Sequence, residues 1–434
     1  MNDISLVIAR NLSGRLPFYY GWVVVFAAGT TTFARMAPST TTLAVFVSPM
    51  ADEFGWSRTL IAGSVSLGAL SSIFISPAVG WAVDRYGVPL ILASSMLVLG
   101  VAMVSLAWAT VPVFFYMGFA TGRVIFHVPV QIGTGALISR WFIRKRGRAI
   151  GAIYLAGAVG GIVTVQIASL AISNWSIGAA WISLGVLVLA VSVLPSTLLI
   201  VDRPETIGLH PDNQPPGSSE DSAELEAGSR GEVDWTPRQA MRTRALWLLT
   251  VVVGVLFMAQ AGISVHVGAF FLDRGLSLTA AANAITINAG VNAFASLMWG
   301  AIIERTTVRV AMTGLMLLSA TCSLSLLAVT SEGSAFVVAA LLGLVAAGGN
   351  VIPPVAFASY FGRRSIGSIR GISETGVQVG QTIGALFSGL VFDLSESYAA
   401  AFITFAALGL VSALVVNYSR PPVRASETNP ILLD

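Results

Sequence analysis

The sequence predicts an all-α integral membrane protein with twelve transmembrane helices, and three observations support this fold class. Of its 434 residues, 55% belong to the set AVILMFWYC and only 10% are charged, against about 25% charged residues in soluble domains. Apolar stretches long enough to cross a hydrocarbon core of ~30 Å recur along the chain. Lys and Arg are concentrated on alternate connections between these stretches. So few charges could not cover the surface of a soluble protein, and no basic tract for nucleic acid is present.

Twelve apolar stretches are predicted to cross the membrane as helices, and the short connections between them leave no room for a folded soluble domain. They are residues 18–48, 58–83, 88–110, 112–140, 148–172, 177–200, 244–272, 279–303, 308–330, 334–361, 366–392 and 397–418. The predicted domains are a six-helix bundle at 1–200, a linker at 201–243, a second six-helix bundle at 244–418 and a tail at 419–434.

The distribution of basic residues predicts the orientation of these spans. If the N-terminus is cytoplasmic, twenty Lys and Arg residues fall in cytoplasmic segments, whereas only Arg58 and Arg274 fall in outer loops. Cytoplasmic loops carry such an excess of basic residues. We therefore expect both termini to be cytoplasmic, with no cleaved signal peptide in residues 1–17.

The linker at 201–243 differs from the rest of the chain because it is rich in proline and contains nine acidic residues. It ends in a basic, amphipathic stretch in which Thr236 is placed to cap a helix and Pro237 to begin it. This pattern predicts a short helix at the membrane surface. A solvated connection between the two halves and a regulatory segment both remain open as interpretations of the linker.

Three short patterns occur twice in the chain at an offset of 219 or 220 residues, which indicates an internal duplication. The matched pairs are Gly80…Asp84-Arg85 with Gly300…Glu304-Arg305, Trp141-Phe142 with Tyr360-Phe361, and Gly157…Gly161 with Gly376…Gly380. Two six-helix halves around a central cavity form the usual architecture for alternating access.

The motif Gly80-x-x-x-Asp84-Arg85-x-Gly87 resembles the signature loop of the major facilitator superfamily. Further stretches are similar to the monocarboxylate-porter branch of that family, which includes bacterial oxalate/formate exchanger relatives; they are Tyr20-Gly21-Trp22, Glu53-Phe54-Gly55-Trp56-Ser57-Arg58 and Arg140-Trp141-Phe142…Arg146-Gly147-Arg148. The resemblance implies a monomeric transporter of the bacterial inner membrane with the two-bundle major facilitator fold. It implies neither an enzyme nor a cofactor.

The same resemblance assigns a gating role to the signature loop. Asp84 and Arg85 are expected to pair with each other and with neighbouring helix ends, and so to hold the inner side closed. Glu304 and Arg305 form the corresponding pair in the second half. The alternative is that these residues only anchor the helix ends at the membrane surface.

Three charged residues are predicted to lie at bilayer depth, where an ionisable side chain costs at least ~2.5 kcal/mol and therefore indicates function. They are Arg35 in span one, Arg123 in span four and Glu374 in span eleven. His127 lies one helical turn from Arg123, and Gln378 and Gln381 share a face with Glu374. Span eight contributes Asn288 and Asn292.

Two arginines against one carboxylate predict a positively charged cavity, and arginine binds carboxylates with paired hydrogen bonds. We therefore expect a small organic anion as substrate, with a monocarboxylate as the first choice. Arg35, Arg123, His127, Asn292 and Gln378 are the predicted binding residues, and Glu374 and His127 are the candidates for proton coupling. The alternative is that Arg35 or Arg123 pairs with Glu374 or with helix carbonyls and only ties the two halves together.

The competing functions are proton-driven efflux of drugs or metabolites, anion exchange, and an enzyme. Efflux members of the superfamily carry a Gly-Pro pair in span five, whereas Gly157-Ala-Val-Gly160-Gly161 lacks the proline. Relatives that move dicarboxylates or lactate carry a basic residue in span eight or eleven, whereas span eight here offers the asparagines Asn288 and Asn292 and span eleven the acidic Glu374. No nucleophile–base group or cluster of metal ligands is apparent, and three histidines are too scattered to bind a metal.

Overall fold

The computed structural model describes residues 2–213 and 234–422, without the side chains of residues 2–4, 58, 59 and 278. Within these ranges the chain is helical and contains no β-strand. The acidic centre of the predicted linker, 214–233, and the tail beyond residue 422 lie outside the described residues, and the expectations about them stay predictions.

The first half of the chain forms ten α-helices, of which two pairs are the parts of broken spans. They are α1 (Asn2–Ser13), α2 (Gly21–Ala34), α3 (Thr40–Phe54), α4 (Arg58–Tyr86), α5 (Val88–Ser105), α6 (Pro112–His127), α7 (Pro129–Trp141), α8 (Arg146–Asn174), α9 (Ile177–Val188) and α10 (Leu194–Leu198). A short π-helix, Leu189–Val193, joins α9 to α10 within one span.

The second half begins with a one-turn helix and continues with six long ones. They are α11 (Pro237–Met241), α12 (Arg244–Asp273), α13 (Leu278–Arg305), α14 (Val308–Ser325), α15 (Glu332–Phe361), α16 (Ile366–Ser395) and α17 (Ala399–Val416). The side chain of Thr236 caps α11 by accepting a hydrogen bond from the backbone N–H of Gln239, with Pro237 as the first helical residue.

The described residues contain eleven helical segments that are long and apolar enough to cross a membrane, and Gly21–Ala34 is a shorter apolar helix at the position of span one. The predicted all-α membrane fold with twelve spans is therefore confirmed. The apolar face that each helix turns outward suits lipid, because every backbone polar group within a helix is satisfied internally.

Spans one and four are each broken near their middle, and proline is the reason. Pro38 lies between α2 and α3, and Pro129 begins α7 directly after the end of α6. A proline has no N–H to donate to the carbonyl four residues earlier, so a helix stops or kinks there. Both breaks leave backbone carbonyls available to side chains inside the membrane.

The two halves meet along a membrane face that we call the arginine face, which carries Arg85, Arg140, Arg148, Arg305 and Arg363. Helices α4, α7, α13 and α15 end there, and α8 and α16 begin there. Close packing of α4 against α16 and of α13 against α8 joins the halves on this side.

Candidate functional site

A cavity of about 240 Å³ lies between the two halves and is lined by side chains from both. Its polar and charged lining residues are Arg35, His127, Gln131, Tyr154, Asn292, Asn350, Glu374 and Gln381. Polar groups that converge in a cavity between repeats are the expected setting of a transport site.

A larger groove of about 870 Å³ lies between α4, α5 and α6. Its lining is apolar apart from a few hydroxyl groups, and it includes outward-facing side chains such as Val113 and Met117. Since no charged residue lines it, we place the candidate site in the smaller cavity between the halves.

Arg35 is buried at the break in span one, and its side chain reaches the break in span four. Its Nη1 donates to the carbonyl oxygen of Phe126 at 2.9 Å and to Oε1 of Gln131 at 2.8 Å. Gln131 in turn donates from Nε2 to the hydroxyl of Tyr154 at 2.5 Å. The Nε of Arg35 is buried and has no hydrogen-bond partner among the described residues. Arg35 is thus held by neutral oxygens and forms no direct ion pair with a carboxylate of the described residues.

Arg123 makes the reciprocal contact from span four to span one. Its Nη1 donates to the carbonyl oxygen of Pro38 at 3.3 Å, and its Nη2 donates to Nε2 of His127 at 2.8 Å. Because a guanidinium can only donate, Nε2 of His127 is the acceptor in this bond. Arg123 does not line the cavity, whereas His127 does.

The aromatic ring of Phe126 contacts the guanidinium groups of both Arg35 and Arg123. The Cζ atoms of Arg35 and Arg123 lie 4.9 Å and 4.8 Å from its centroid. The electron-rich face of an aromatic ring stabilises a nearby cation, most strongly where water is excluded. The two breaks and this ring therefore hold two guanidinium groups close together without an acidic partner.

Glu374 is buried on α16 and pairs with Arg370, one turn earlier on the same helix, at 3.5 Å. Its other oxygen accepts from Nε2 of Gln378 at 3.2 Å. Of the alternative pairings for Arg35 and Arg123, the structure shows bonds to the helix carbonyls of Phe126 and Pro38, whereas the ion-pair partner of Glu374 is Arg370. Because Arg370 neutralises Glu374, the buried cluster of three arginines and one glutamate keeps a net positive charge.

The structure brings four predicted site residues to the cavity wall, namely Arg35, His127, Asn292 and Glu374. Arg123 and Gln378 lie behind the wall, in contact with His127 and Glu374 respectively. Gln131, Tyr154, Asn350 and Arg370 were not among the predicted site residues. The spacing of Arg370 and Glu374, four residues apart on one helix, was the signal that could have revealed that pair.

Asp84, at the end of α4, contacts the opposite half through the first turn of α16. Its Oδ1 accepts from the backbone N–H of Gly367 at 3.0 Å, and its Oδ2 accepts from that of Ser368 at 2.6 Å. A carboxylate is stabilised at a helix N-terminus by these free N–H groups and by the helix dipole. Asp84 also pairs with Arg140 at 3.0 Å, and Arg140 in turn pairs with Asp202 at 2.5 Å.

Glu304 makes the corresponding contact from the second half to the first. Its Oε1 accepts from the backbone N–H of Arg148 in α8 at 2.8 Å, and its Oε2 pairs with Nε of the same residue at 2.7 Å. The two carboxylates thus occupy equivalent positions in the two halves. Each binds the start of a helix in the other half.

Arg85 and Arg305 do not pair with Asp84 and Glu304 as expected. Both side chains are exposed, and neither forms an ion pair with a described residue. The expected Asp84–Arg85 pair is replaced by the Asp84–Arg140 pair, because residue 85 points away from the contact between the halves.

Glycine allows the helices to approach closely beside these carboxylates. A Cβ atom at Gly80 would collide with the backbone carbonyl of Gly367, and one at Gly147 would collide with that of Gly300. Both contacts lie between halves. We call the two carboxylate contacts and the two glycine contacts together the arginine-face interface.

Among the described residues, the hydrogen bonds between the two helical bundles lie on the side of the arginine face, and the bond of Thr375 in α16 is the one furthest from that face. Thr375 donates to the carbonyl oxygen of Ile73 at 3.4 Å, and the remaining bonds involve Asp84, Glu304 and Arg363. No hydrogen bond joins the two bundles on the opposite side among the described residues. The cavity is therefore closed towards the arginine face in this conformation.

Three solved transporter structures share this fold over almost their whole length. The human organic anion transporter MFSD10 (TETRAN) matches with a TM-score of 0.71 and 15% identity, over 91% of this chain and 99% of that one. FucP in the outward conformation matches with a TM-score of 0.67 and 14% identity, over 92% and 99%. The proton:xylose symporter XylE matches with a TM-score of 0.68 and 15% identity, over 92% and 96%.

At 14–15% identity these similarities concern the fold alone. No curated protein is similar enough in sequence to count as a match. The profile of the Major Facilitator Superfamily, by contrast, matches residues 21–331 and 271–432, which together include most of the chain. The chain therefore belongs to the major facilitator superfamily.

Proposed function

We propose that this protein is a secondary active transporter that moves a small organic anion, with a monocarboxylate as the first choice, by alternating access. The observation that carries the proposal is Arg35. It is buried beside the cavity, bonded only to neutral oxygens, while Glu374 is occupied by Arg370.

A buried guanidinium without a carboxylate is costly in a membrane, and an anionic ligand would remove that cost. Fixed hydrogen bonds from Nη1 to Phe126 and Gln131 hold Arg35 in place before a ligand arrives. Asn292, Asn350 and Gln381 supply amide groups from the other half. A ligand that contacts both halves can couple binding to their relative movement.

We propose that Glu374 couples proton and anion binding. Protonation of Glu374 would leave Arg370 without its partner and make the cavity more positive, so the anion would bind more tightly. By reciprocity the anion would favour protonation to the same extent. His127 fits this role less well, since its Nε2 already accepts from Arg123.

Anion exchange is a second candidate, and the net positive charge of the buried cluster favours it. Without a bound anion, closing the cavity would enclose Arg35 and Arg123 with no counter-charge. The return of the empty transporter would then be slow, and uptake would depend on an anion on the other side. Efflux of uncharged drugs finds no comparable support in this cavity.

We also propose that the arginine face is cytoplasmic and that the protein lies in a bacterial inner membrane. The excess of basic residues on this face follows the positive-inside rule. In this orientation the cavity of the present conformation is closed to the cytoplasm.

The experiment is uptake of radiolabelled monocarboxylates into proteoliposomes, with and without an inward proton gradient and with and without internal unlabelled anion. Uptake driven by the gradient supports symport, and uptake that requires internal anion supports exchange. Arg35→Gln should lower uptake about 100-fold, because the buried charge that binds the carboxylate is lost.

Arg274→Gln is the matched control, because Arg274 lies in the loop between α12 and α13 and outside the cavity. Full uptake by Arg35→Gln, or equal loss in both variants, would contradict the proposed anion site.

A further inference from the structure

Two aspartates that flank the undescribed centre of the inter-half linker bind the loops that precede α8 and α16. Asp212 lies in the segment that follows α10, and its Oδ2 accepts from the backbone N–H groups of Ile143 at 2.8 Å and Arg144 at 2.7 Å. These two residues form the turn between α7 and α8. One carboxylate oxygen thus receives two consecutive N–H donors from this turn.

Asp234, beyond the undescribed centre of the linker, makes the same contact in the other half. Its Oδ1 accepts from the backbone N–H groups of Arg363 and Arg364, each at 3.0 Å. These residues form the turn between α15 and α16, and they follow Ile143 and Arg144 by 220 residues, the offset of the internal duplication. The linker therefore supplies one carboxylate to each of two equivalent turns.

Both turns lead directly into the helix starts that form the arginine-face interface. Glu304 binds the N–H of Arg148, and Asp84 binds the N–H groups of Gly367 and Ser368. Each helix start is consequently held by two carboxylates, one from its own end of the linker and one from the opposite half. Each of these two aspartate contacts lies within one half and does not itself cross the interface, whereas Glu205 of the linker pairs with Arg363 at 3.4 Å.

The segment around Asp212 forms a turn that is fixed to the first half. Asp212 and Asn213 have φ values of 55° and 61°, in the left-handed region that Asp and Asn adopt more readily than other residues with a side chain. The hydroxyl of Tyr19 lies within hydrogen-bond distance of the carbonyl oxygens of His210, at 3.0 Å, and Trp141, at 3.1 Å, and donates its single proton to one of them at a time.

We propose that Asp212 and Asp234 are positioning residues that fix the starts of α8 and α16 so that Glu304 and Asp84 can close the arginine face. The inference depends on alternating access by the superfamily fold and not on the identity of the substrate. A helix start that is ordered in advance loses less entropy when the opposite half binds it. Loss of either aspartate should therefore favour the conformation that is open at the arginine face.

The test measures distances between spin labels on the full-length protein in lipid nanodiscs, with the buried Cys322 replaced by alanine. One label pair, at Tyr86→Cys and Thr306→Cys, reports on the arginine face, and a second, at Thr110→Cys and Thr330→Cys, reports on the opposite face. All four positions are exposed and paired by the internal duplication. Asp212→Ala and Asp234→Ala should each lower the ratio of arginine-face-closed to arginine-face-open protein about fivefold, with a larger shift when combined.

Asp52→Ala serves as the control, because Asp52 is exposed and its recorded bond is a long one from Ser48 on its own helix. Unchanged distances in both aspartate variants would overturn the proposal. So would a lower melting temperature with unchanged distances, which would mean that the aspartates only attach the linker. If the alanine variants fail to fold, Asp212→Asn and Asp234→Asn keep an acceptor oxygen and should shift the distances in the same direction by less.

Discussion

At the scale of single residues, the function of Arg35 depends on how its donors are divided. Nη1 is committed to the carbonyl oxygen of Phe126 and to Gln131, so the remaining donors of the planar guanidinium are the ones that a carboxylate can reach. A lysine ammonium is a point charge with no such division.

We therefore expect Arg35→Lys to weaken anion binding about tenfold while uptake remains measurable. Lysine keeps the positive charge but lacks the planar pair of donors that binds a carboxylate. The concentration dependence of uptake in proteoliposomes measures this change. An unaltered half-saturation concentration would show that the fork geometry of Arg35 is not used.

Arg123 differs from Arg35 because it lies behind the cavity wall and ties Pro38 to His127. We expect Arg123→Met to destabilise the protein by about 2–3 kcal/mol, since two buried acceptors lose their donor. Thermal unfolding in detergent measures the effect, and Arg274→Met, in the loop between α12 and α13, is the control. If Arg123→Met instead abolished anion binding without lowering the melting temperature, Arg123 would belong to the binding site itself.

Glu374 is the residue on which proton coupling depends. Glu374→Gln keeps the size of the side chain and mimics the protonated carboxyl group, so we expect loss of gradient-driven uptake with exchange retained. Uptake with an imposed pH gradient and with internal anion separates the two activities. Gradient-driven uptake at the level of the unmodified protein would remove Glu374 from the coupling mechanism.

At the scale of helices, the contact between the halves uses backbone groups as much as side chains. Asp84 and Glu304 bind N–H groups at helix starts, and Gly80 and Gly147 bring backbones together. Two equivalent contacts, one per half, hold the arginine face closed in this conformation.

We expect Gly147→Val to separate α8 from α13 and to favour the conformation open at the arginine face by about tenfold, because the added side chain meets the carbonyl of Gly300. Distances between the label pairs described above measure the shift. Gly290→Val is the control. Gly290 lies on α13, the helix that Gly147 contacts, and a Cβ atom at this position would have no neighbour within 4 Å. An equal effect of both variants would contradict the role of the glycine contact.

The helices themselves follow closely from apolar length, whereas their breaks do not. Span one was predicted as a single helix over 18–48, yet the chain forms α2 and α3 with Arg35 and Pro38 between them. Proline often lies within transmembrane helices without ending them, as Pro49 and Pro77 do here. Whether a particular proline breaks a span depends on side chains from other helices that satisfy the freed carbonyls, and these partners are remote in sequence.

At the scale of the whole molecule, the distribution of charge predicts which face meets the cytoplasm. Tyr86 is exposed at the arginine face and Thr110 is exposed at the opposite face. With Cys322 replaced by alanine, we expect Tyr86→Cys to react with a membrane-impermeant thiol reagent only in inverted vesicles, and Thr110→Cys only in intact cells. The reverse pattern would contradict the proposed orientation.

The charged residues of the candidate site could be predicted from the sequence, whereas the partners to which they bond could be predicted less well. Arg35 and Glu374 stand out in the sequence because the bilayer excludes charge, and both line the cavity. Arg370 lies one turn from the start of α16, a position typical of basic residues at a membrane surface, although it is buried against Glu374. Gln131 and Tyr154 carry no charge, so only the folded arrangement reveals that they hold Arg35.

The acceptors that Asp84 and Glu304 find across the arginine face are largely peptide N–H groups, which every residue except proline provides. Sequence change at Ser368 or Arg148 therefore leaves these N–H contacts intact, whereas residue 367 must stay glycine because a Cβ atom there would collide with Oδ1 of Asp84. The residues that line the cavity lie elsewhere on the same helices. Over evolutionary time such a chain can exchange one substrate for another by altering the cavity, while the machinery that opens and closes it is inherited unchanged.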